Sequence, residues 1–244
     1  MDWDKLLSTK RLGMEDWESS GKMEDRTQFQ RDYDRIIFSS PFRRMQNKTQ
    51  VFPLPEHIFV HNRLTHSLEV ACVGRSLGNL LAEKLAPENQ GNSLISEIGA
   101  IVSTVCLAHD LGNPPFGHSG EAAISNFFEK GAGHEFESQL SIGEWKDFTH
   151  FDGNANAFRI LTHQFNGKRP GGFALTYSTL ASIVKYPYES VLAKKPKFGF
   201  FQSEKEDYLK IANQLVIESK PGNPELFCRH PLVYLVEAAD DICY

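Results

Sequence analysis

The chain has no apolar run approaching the ~18 residues that a membrane span requires. Its opening stretch, MDWDKLLSTK, lacks the apolar core of a secretory signal. Excess positive charge is missing too, since the formal net charge is −5. No global field draws in nucleic acid or an anionic membrane, so a polyanionic ligand must be met by locally placed Lys and Arg. Cysteine is scarce: Cys72, Cys106, Cys228 and Cys243 form no CxxC pair and fall mostly within apolar helical patterns. They read as buried free thiols of a reducing compartment. Strand alternation and internal repeats are absent. The expectation is a cytoplasmic, all-α chain with no membrane contact, long enough to bury one large core.

What is present is helical periodicity. Arg26–Ser39 carries Phe29, Tyr33, Ile36 and Ile37 at helical spacing, stopped at Ser40-Pro41, and a short helix follows through Met45. Val51–Pro55 reads as extended, fixed by Pro53 and Pro55. Thr65–Leu85 predicts a long helix with Leu68, Ala71, Leu77, Leu81 and Leu85 towards the core. Leu94–Ala108 is apolar nearly all round, which predicts a central buried helix. Further helices are expected at Ser119–Lys130, Asn154–Gln164, Thr176–Lys185, Lys205–Val216 and from Pro231 onward. Gly131–Asp147 and Tyr186–Glu204, rich in Gly, Lys and Phe, read as long loops or short irregular pieces.

Four residues stand out chemically: His66, the adjacent His109-Asp110, and Asp240. Two imidazoles and two carboxylates suit a divalent ion of the Mn, Fe or Zn kind better than Ca. Such an ion lowers the pKa of bound water towards 7. Neighbours in mid-helix point about 100° apart, but Gly112, Pro114 and Pro115 stop the helix near Asp110 and allow both side chains to converge. Read alone, a His-Asp pair is more often structural, with His109 capping the helix and Asp110 bonding to the loop. In the last helix, Leu232, Leu235, Val236 and Ala239 define a stripe. Asp241 lies opposite it and Asp240 at its edge, where a carboxylate needs a cation or donors.

The order His, His-Asp, Asp resembles the HD-domain metal-dependent phosphohydrolases, and within them the deoxyguanosinetriphosphate triphosphohydrolases. The resemblance is carried by RDYDRIIFSSPFRRMQNKTQVFP (31–53), HNRLTHSLEV (61–70), AHDLGNPPFGHSGE (108–121), FDGNANAFRIL (151–161), KYP (185–187), KFGFF (197–201) and EAADDICY (237–244). It implies an HD-domain helical bundle with long irregular loops over residues 1–244. It also implies hydrolysis of a deoxynucleoside triphosphate, dGTP first, to deoxynucleoside and inorganic triphosphate. His66, His109, Asp110 and Asp240 would ligate the metal, with Mn²⁺ or Mg²⁺ first and Fe, Ni or Zn as other fits. His118 would serve proton transfer, with Glu121 holding its imidazole. Arg63 would reach a phosphate oxygen; Gln50, Val51 and Tyr244 would form the sugar floor. Lys185 and Lys197 would supply charge to the triphosphate, and Asn154 either contacts substrate or caps a helix.

The resemblance further implies a homo-oligomer and a dNTP or single-stranded DNA effector. Relatives continue past Tyr244, and the expectation is that this continuation completes the base pocket. Two other readings stand beside the triphosphohydrolase: a nucleotide or single-stranded nucleic-acid sensor, and an HD phosphodiesterase or 5′-nucleotidase. A decayed sensor would lack ligands or the His118-Glu121 pair, and both are present. The monophosphate enzymes lack the FRRMQNKTQVF and NPPFGHSGE signatures.

Overall fold

The structure is a computed structural model that describes residues 2–16, 26–48, 62–165 and 169–244. Its α-helices are α1 (Trp3–Leu6), α2 (Gln28–Ile37), α3 (Ser40–Arg44), α4 (Arg63–Leu85), α5 (Ile98–Ala108) and α6 (His118–Lys130). They continue with α7 (Ile142–Thr149), α8 (Gly153–Thr162), α9 (Tyr177–Ile183), α10 (Lys205–Gln214) and α11 (Val233–Cys243). One small antiparallel hairpin, β1 (Ser219–Lys220) with β2 (Asn223–Phe227), interrupts an otherwise helical chain. The all-α expectation holds. Among the described residues no helix is long and apolar enough to cross a membrane.

Helix α5 is the centre of the packing. Every residue from Ile101 to Ala108 is buried, and α2, α4, α9 and α11 pack around it. It starts later than the periodicity predicts, because Ser93–Glu97 forms a 3-10 turn capped by the Asn92 side chain. Around it α2 is started by a Thr27–Gln30 capping box and buries Phe29 and Ile36. The buried Asp32 accepts from Arg11 (2.6 Å) and from the Thr176 and Thr179 hydroxyls, which ties the N-terminal segment to the start of α9.

Helix α4 corrects the sequence reading of its face. Its buried stripe is His66, Ser67, Val70, Ala71, Gly74, Gly78 and Ala82, while Leu68, Leu77, Leu81 and Leu85 are only partly buried. Small residues face α5 because the two helices approach too closely for leucines. A Cβ at Gly74 would lie 2.5 Å from Cys106 Sγ, and one at Gly78 would lie 2.7 Å from Gly99 Cα.

Two further expectations change. Gly131–Asp147 is not a loop: it contains a 3-10 stretch, Ala132–Gln139, and most of α7. A Ser141–Glu144 capping box starts α7, and the Phe128–Phe148 ring contact (4.5 Å) holds it. The cysteines are all free, but only Cys106 is buried; Cys72 is exposed because it lies on the outer face of α4. Val51–Pro55 lies outside the described residues.

His230, at the entry to α11, is buried and pinned. Its Nε2–H donates to Leu6 O (3.1 Å), and its Nδ1 accepts from Leu232 N (3.3 Å) with Ser182 Oγ at 3.0 Å. Burial pushes its pKa down to about 4. The unfolded imidazole titrates near ~6.5, so the folded state prefers the neutral form. Its contribution to stability is complete above that pH and is lost as pH falls towards about 4. Going from pH 7.5 to pH 5, this group alone should cost on the order of 2 kcal/mol. Thermal melts of the wild type and His230→Gln across that range check this. The variant should melt earlier at pH 7.5 and lose less on acidification; parallel pH profiles would remove His230 as the cause.

Candidate metal centre

Three elements bring the sequence-derived ligands together. An Asn62–Thr65 capping box sets the start of α4, and His66 follows one turn later on its buried face. His109 is the C-cap of α5, and the chain turns through Asp110 to Asn113. Gly112 makes that turn possible, because a Cβ there would lie 2.0 Å from Gly153 O. In α11, Asp240 is half-buried at the edge of the stripe Leu232, Val236 and Ala239, and Asp241 is exposed.

The donor atoms converge. His66, His109 and Asp110 each offer one within 4.8 Å of the others. Asp240 Oδ1 lies 3.0 Å from His66 Nε2 and 3.6 Å from His109 Nε2, which is 3.7 Å from Asp110 Oδ1. Donors bound to one small divalent ion at about 2.1 Å sit roughly 3–3.5 Å apart. His109 Nδ1–H donates to Cys106 O (2.6 Å), which fixes the tautomer and aims the Nε2 lone pair into the cluster. That buried Nε2 has no hydrogen-bond partner among the described residues. An orphaned imidazole nitrogen facing two carboxylates and a second imidazole fits a divalent cation. Without one, the His66 hydrogen bond to Asp240 raises the imidazole pKa and, reciprocally, lowers that of the carboxyl.

Asp110 is gripped at both oxygens: Arg63 Nη1 donates to Oδ2 (2.5 Å) and Asn113 Nδ2 to Oδ1. Arg63 is therefore buried beside the cluster rather than placed on the surface, and its Nε has no partner among the described residues. Asn113 was not singled out from sequence. Its position three residues after Asp110, in a turn, was the available signal.

Across the cavity, α6 opens at His118 after two residues in the left-handed region, Phe116 (φ +66°) and Gly117 (φ +54°). The His118 side chain is 88% exposed, and its Nδ1–H donates to Glu121 Oε2 at 2.8 Å. Glu121 is buried, and its other oxygen accepts from Gly153 N (2.8 Å). Burial alone would push the Glu121 pKa up, but the bonds from His118 and Gly153 and the nearby Lys197 outweigh it and hold it low. Lys197 Nζ lies 3.4 Å from Glu121 Oε2 and 3.6 Å from Asp152 Oδ1. Asp152 is itself buried and caps α8.

Metal cluster and His118–Glu121 pair share one cavity of about 530 Å³. It is also lined by Arg63, Asn154, Lys185, Lys197 and Tyr244, so every described site residue read from sequence borders the same space. Gln50 and Val51 lie outside the described residues. The margin is less ordered chemically than the floor. Asn154 Nδ2 bonds Asp152 (2.8 Å) in the local cap. Lys185 is paired with Glu237 (2.8 Å), which also holds Arg229 (2.7 Å) against the Tyr186 ring. Tyr244 is 96% exposed and stacks on nothing described. Glu237 and Tyr186 were missed from sequence, although Glu237 sits one turn before Asp240.

An HD-domain family model matches residues 63–187, the stretch that runs from the first turn of α4 past α9. A deoxyguanosinetriphosphate triphosphohydrolase-like protein of Pseudomonas aeruginosa is 50% identical over all of this chain and 55% of its own length. One of the same name from Synechocystis is 46% identical, over all of this chain and 58% of its own. A deoxyguanosinetriphosphate triphosphohydrolase of Yersinia enterocolitica is 36% identical over 88% of this chain and 48% of its own length. The chain thus spans about half the length of the curated relatives it matches. It belongs to the HD-domain family, where it groups with the deoxyguanosinetriphosphate triphosphohydrolase-like proteins.

Proposed function

We propose that this chain carries the catalytic core of a metal-dependent hydrolase that cleaves a deoxynucleoside triphosphate, dGTP first, to deoxynucleoside and inorganic triphosphate. The observation that carries the reading is the orphaned His109 Nε2, facing Asp110, Asp240 and His66 on the floor of a cavity that also holds a carboxylate-oriented histidine. A divalent ion, Mn²⁺ or Mg²⁺ first, supplies Lewis acidity at the scissile phosphate and acidifies a water. His66, His109, Asp110 and Asp240 hold it, and Arg63 and Asn113 fix the orientation of the Asp110 carboxylate.

In the net reaction a water oxygen bonds the α-phosphorus, the bond from phosphorus to the sugar 5′-oxygen breaks, and one proton passes from the water to the 5′-oxygen. His118 is the group for that transfer. It is exposed to the cavity, its Nδ1 is occupied by Glu121, and Nε2 remains for the substrate. Arg63, Lys185 and Lys197 are cations lining the cavity for the triphosphate, each balanced by a carboxylate until substrate arrives. Gln50, Val51 and Tyr244 are assigned to the sugar in this reading, which favours deoxyribose over ribose.

Chromatographic product analysis of dGTP incubated with the intact protein and Mn²⁺ tests the reaction. The expected products are deoxyguanosine and triphosphate. Release of dGMP with pyrophosphate, or of dGDP with phosphate, would overturn it.

The metal reading has its own check. Asp110→Ala removes one ligand and strands the Arg63 guanidinium, so it should abolish both Mn²⁺ uptake and turnover. Elemental analysis showing full metal occupancy in that variant would remove Asp110 from the ligand set.

His118 tests the proton-transfer role. General acid–base catalysis contributes ~10²–10⁴-fold, and the side chain is 88% exposed, so its removal costs the fold little. His118→Ala should lose most of kcat and keep metal content and melting temperature. Glu121→Ala should lose less, and the double variant should fall well short of the product of the two losses. An early melt with turnover retained at low temperature would make His118 scaffolding.

A further inference from the structure

Among the described residues, Asp110 is the only ligand of the cluster with both carboxylate oxygens gripped by side chains, and the two grips come from separate segments. Arg63 belongs to the first turn of α4 and Asn113 to the turn after α5. The two segments meet at Asp110 itself. Both are tied to one residue outside the HD motif, Lys48, at the end of the 3-10 helix Met45–Asn47.

The Lys48 carbonyl accepts from Arg63 N (3.0 Å), which sets where α4 begins. Its half-buried ammonium reaches across to the other segment and donates to Asn113 O (2.8 Å) and Leu111 O (3.3 Å). Those two carbonyls flank Gly112, beyond the end of α5, where no helical ladder is left to satisfy them. A flexible cation with three donors can serve two such acceptors at once. Burial lowers the Lys48 pKa, the Arg63 charge lowers it further and Asp110 opposes both, so the ammonium lies within the field of the same charged group.

We propose that Lys48 is a positioning residue for the metal centre, holding the Arg63 and Asn113 grips in register so that Asp110 presents its carboxylate to the ion. The proposal rests on the reading of Asp110 as a ligand. Lys48 touches neither substrate nor metal; it acts through the two residues that do touch Asp110. Removing the ammonium frees the turn that carries Leu111 and Asn113, while the hydrophobic packing of α5 is untouched.

Supporting groups behind a metal ligand are worth ~10–100-fold in affinity. The experiment measures Mn²⁺ affinity of the intact protein by competition with a chromophoric chelator, alongside melting temperature without metal. Lys48→Met should weaken Mn²⁺ about 10–100-fold and raise the Mn²⁺ concentration for half-maximal activity in parallel. Lys48→Arg, which keeps a cationic donor, should recover part of the loss. Asn113→Ala should also weaken Mn²⁺, and Lys48→Met should add little on top of it, because both act on one carboxylate.

Unchanged Mn²⁺ affinity in Lys48→Met, with or without an earlier melt, would overturn the proposal. So would full additivity with Asn113→Ala. If Lys48→Met does not fold, Lys48→Gln takes its place and the same two results decide. Asp110→Ala, measured beside them, separates the failures. Metal loss there with none in the Lys48 variants sinks only the role of Lys48, whereas normal affinity in Asp110→Ala sinks the metal reading itself.

Discussion

The site depends on how α5 ends. A helix buried on almost every side must deliver its last polar groups into the interior, where each unpaired donor or acceptor costs about 1–3 kcal/mol. Three local solutions are visible. Cys106 O takes the His109 Nδ1 proton, and the Leu111 and Asn113 carbonyls take the Lys48 ammonium. Asp110 takes Arg63 and Asn113. What these solutions leave over is one imidazole nitrogen, His109 Nε2, pointed at acids too distant for a hydrogen bond. The demand for a cation is thus a by-product of terminating a buried helix with a histidine whose other nitrogen is already used.

Charge around the cavity is arranged as competing pairs. Glu121 and Asp152 share Lys197, and Lys185 and Arg229 share Glu237. The acids respond differently. Despite its burial, Glu121 is held below its usual range by His118, Gly153 and Lys197, whereas at Asp152 burial outweighs its donors and pushes the pKa up. In a chain of net charge −5 this matters for an anionic ligand. An anionic ligand in this cavity would meet cations that already have partners, and would bind them by exchange. Such exchange favours a ligand with several negative oxygens over one with a single charge.

The sequence made the floor of the site legible and left its margins obscure. His109-Asp110 could be placed because Gly112 and the two prolines announce where α5 stops, and Asp240 could be separated from Asp241 by the stripe on α11. The supports of Asp110 could not be read. Arg63, one turn before His66, could be put on the same face of α4, but its bond to Asp110 could not be read, and Lys48 bonds backbone carbonyls more than sixty residues away, which no local pattern encodes. The α4 face was read only in part for a related reason. Hydrophobicity points to Ala71 and the leucines, which do pack against the core, but the close approach to α5 puts Gly74 and Gly78 at the centre of the contact. In α7 the Ser141–Glu144 cap was written in the sequence, and Gly143 between them made the stretch look like a loop.

That close approach has a consequence for the chemistry. His66 lies two turns before Gly74 on the same buried face of α4, and His109 follows three residues after Cys106, the residue against which Gly74 packs. The 5.4 Å spacing of the two imidazole rings is therefore set by backbone-to-side-chain contact deeper in the helix pair. Ala239, the residue before Asp240, lies 3.6 Å from the position of the same missing Cβ. One glycine thus lets the helices bearing His66, His109 and Asp240 meet at a common point. A donor cluster fixed by helix packing keeps its geometry when the loops around it change, which suits a centre whose surrounding walls carry the recognition.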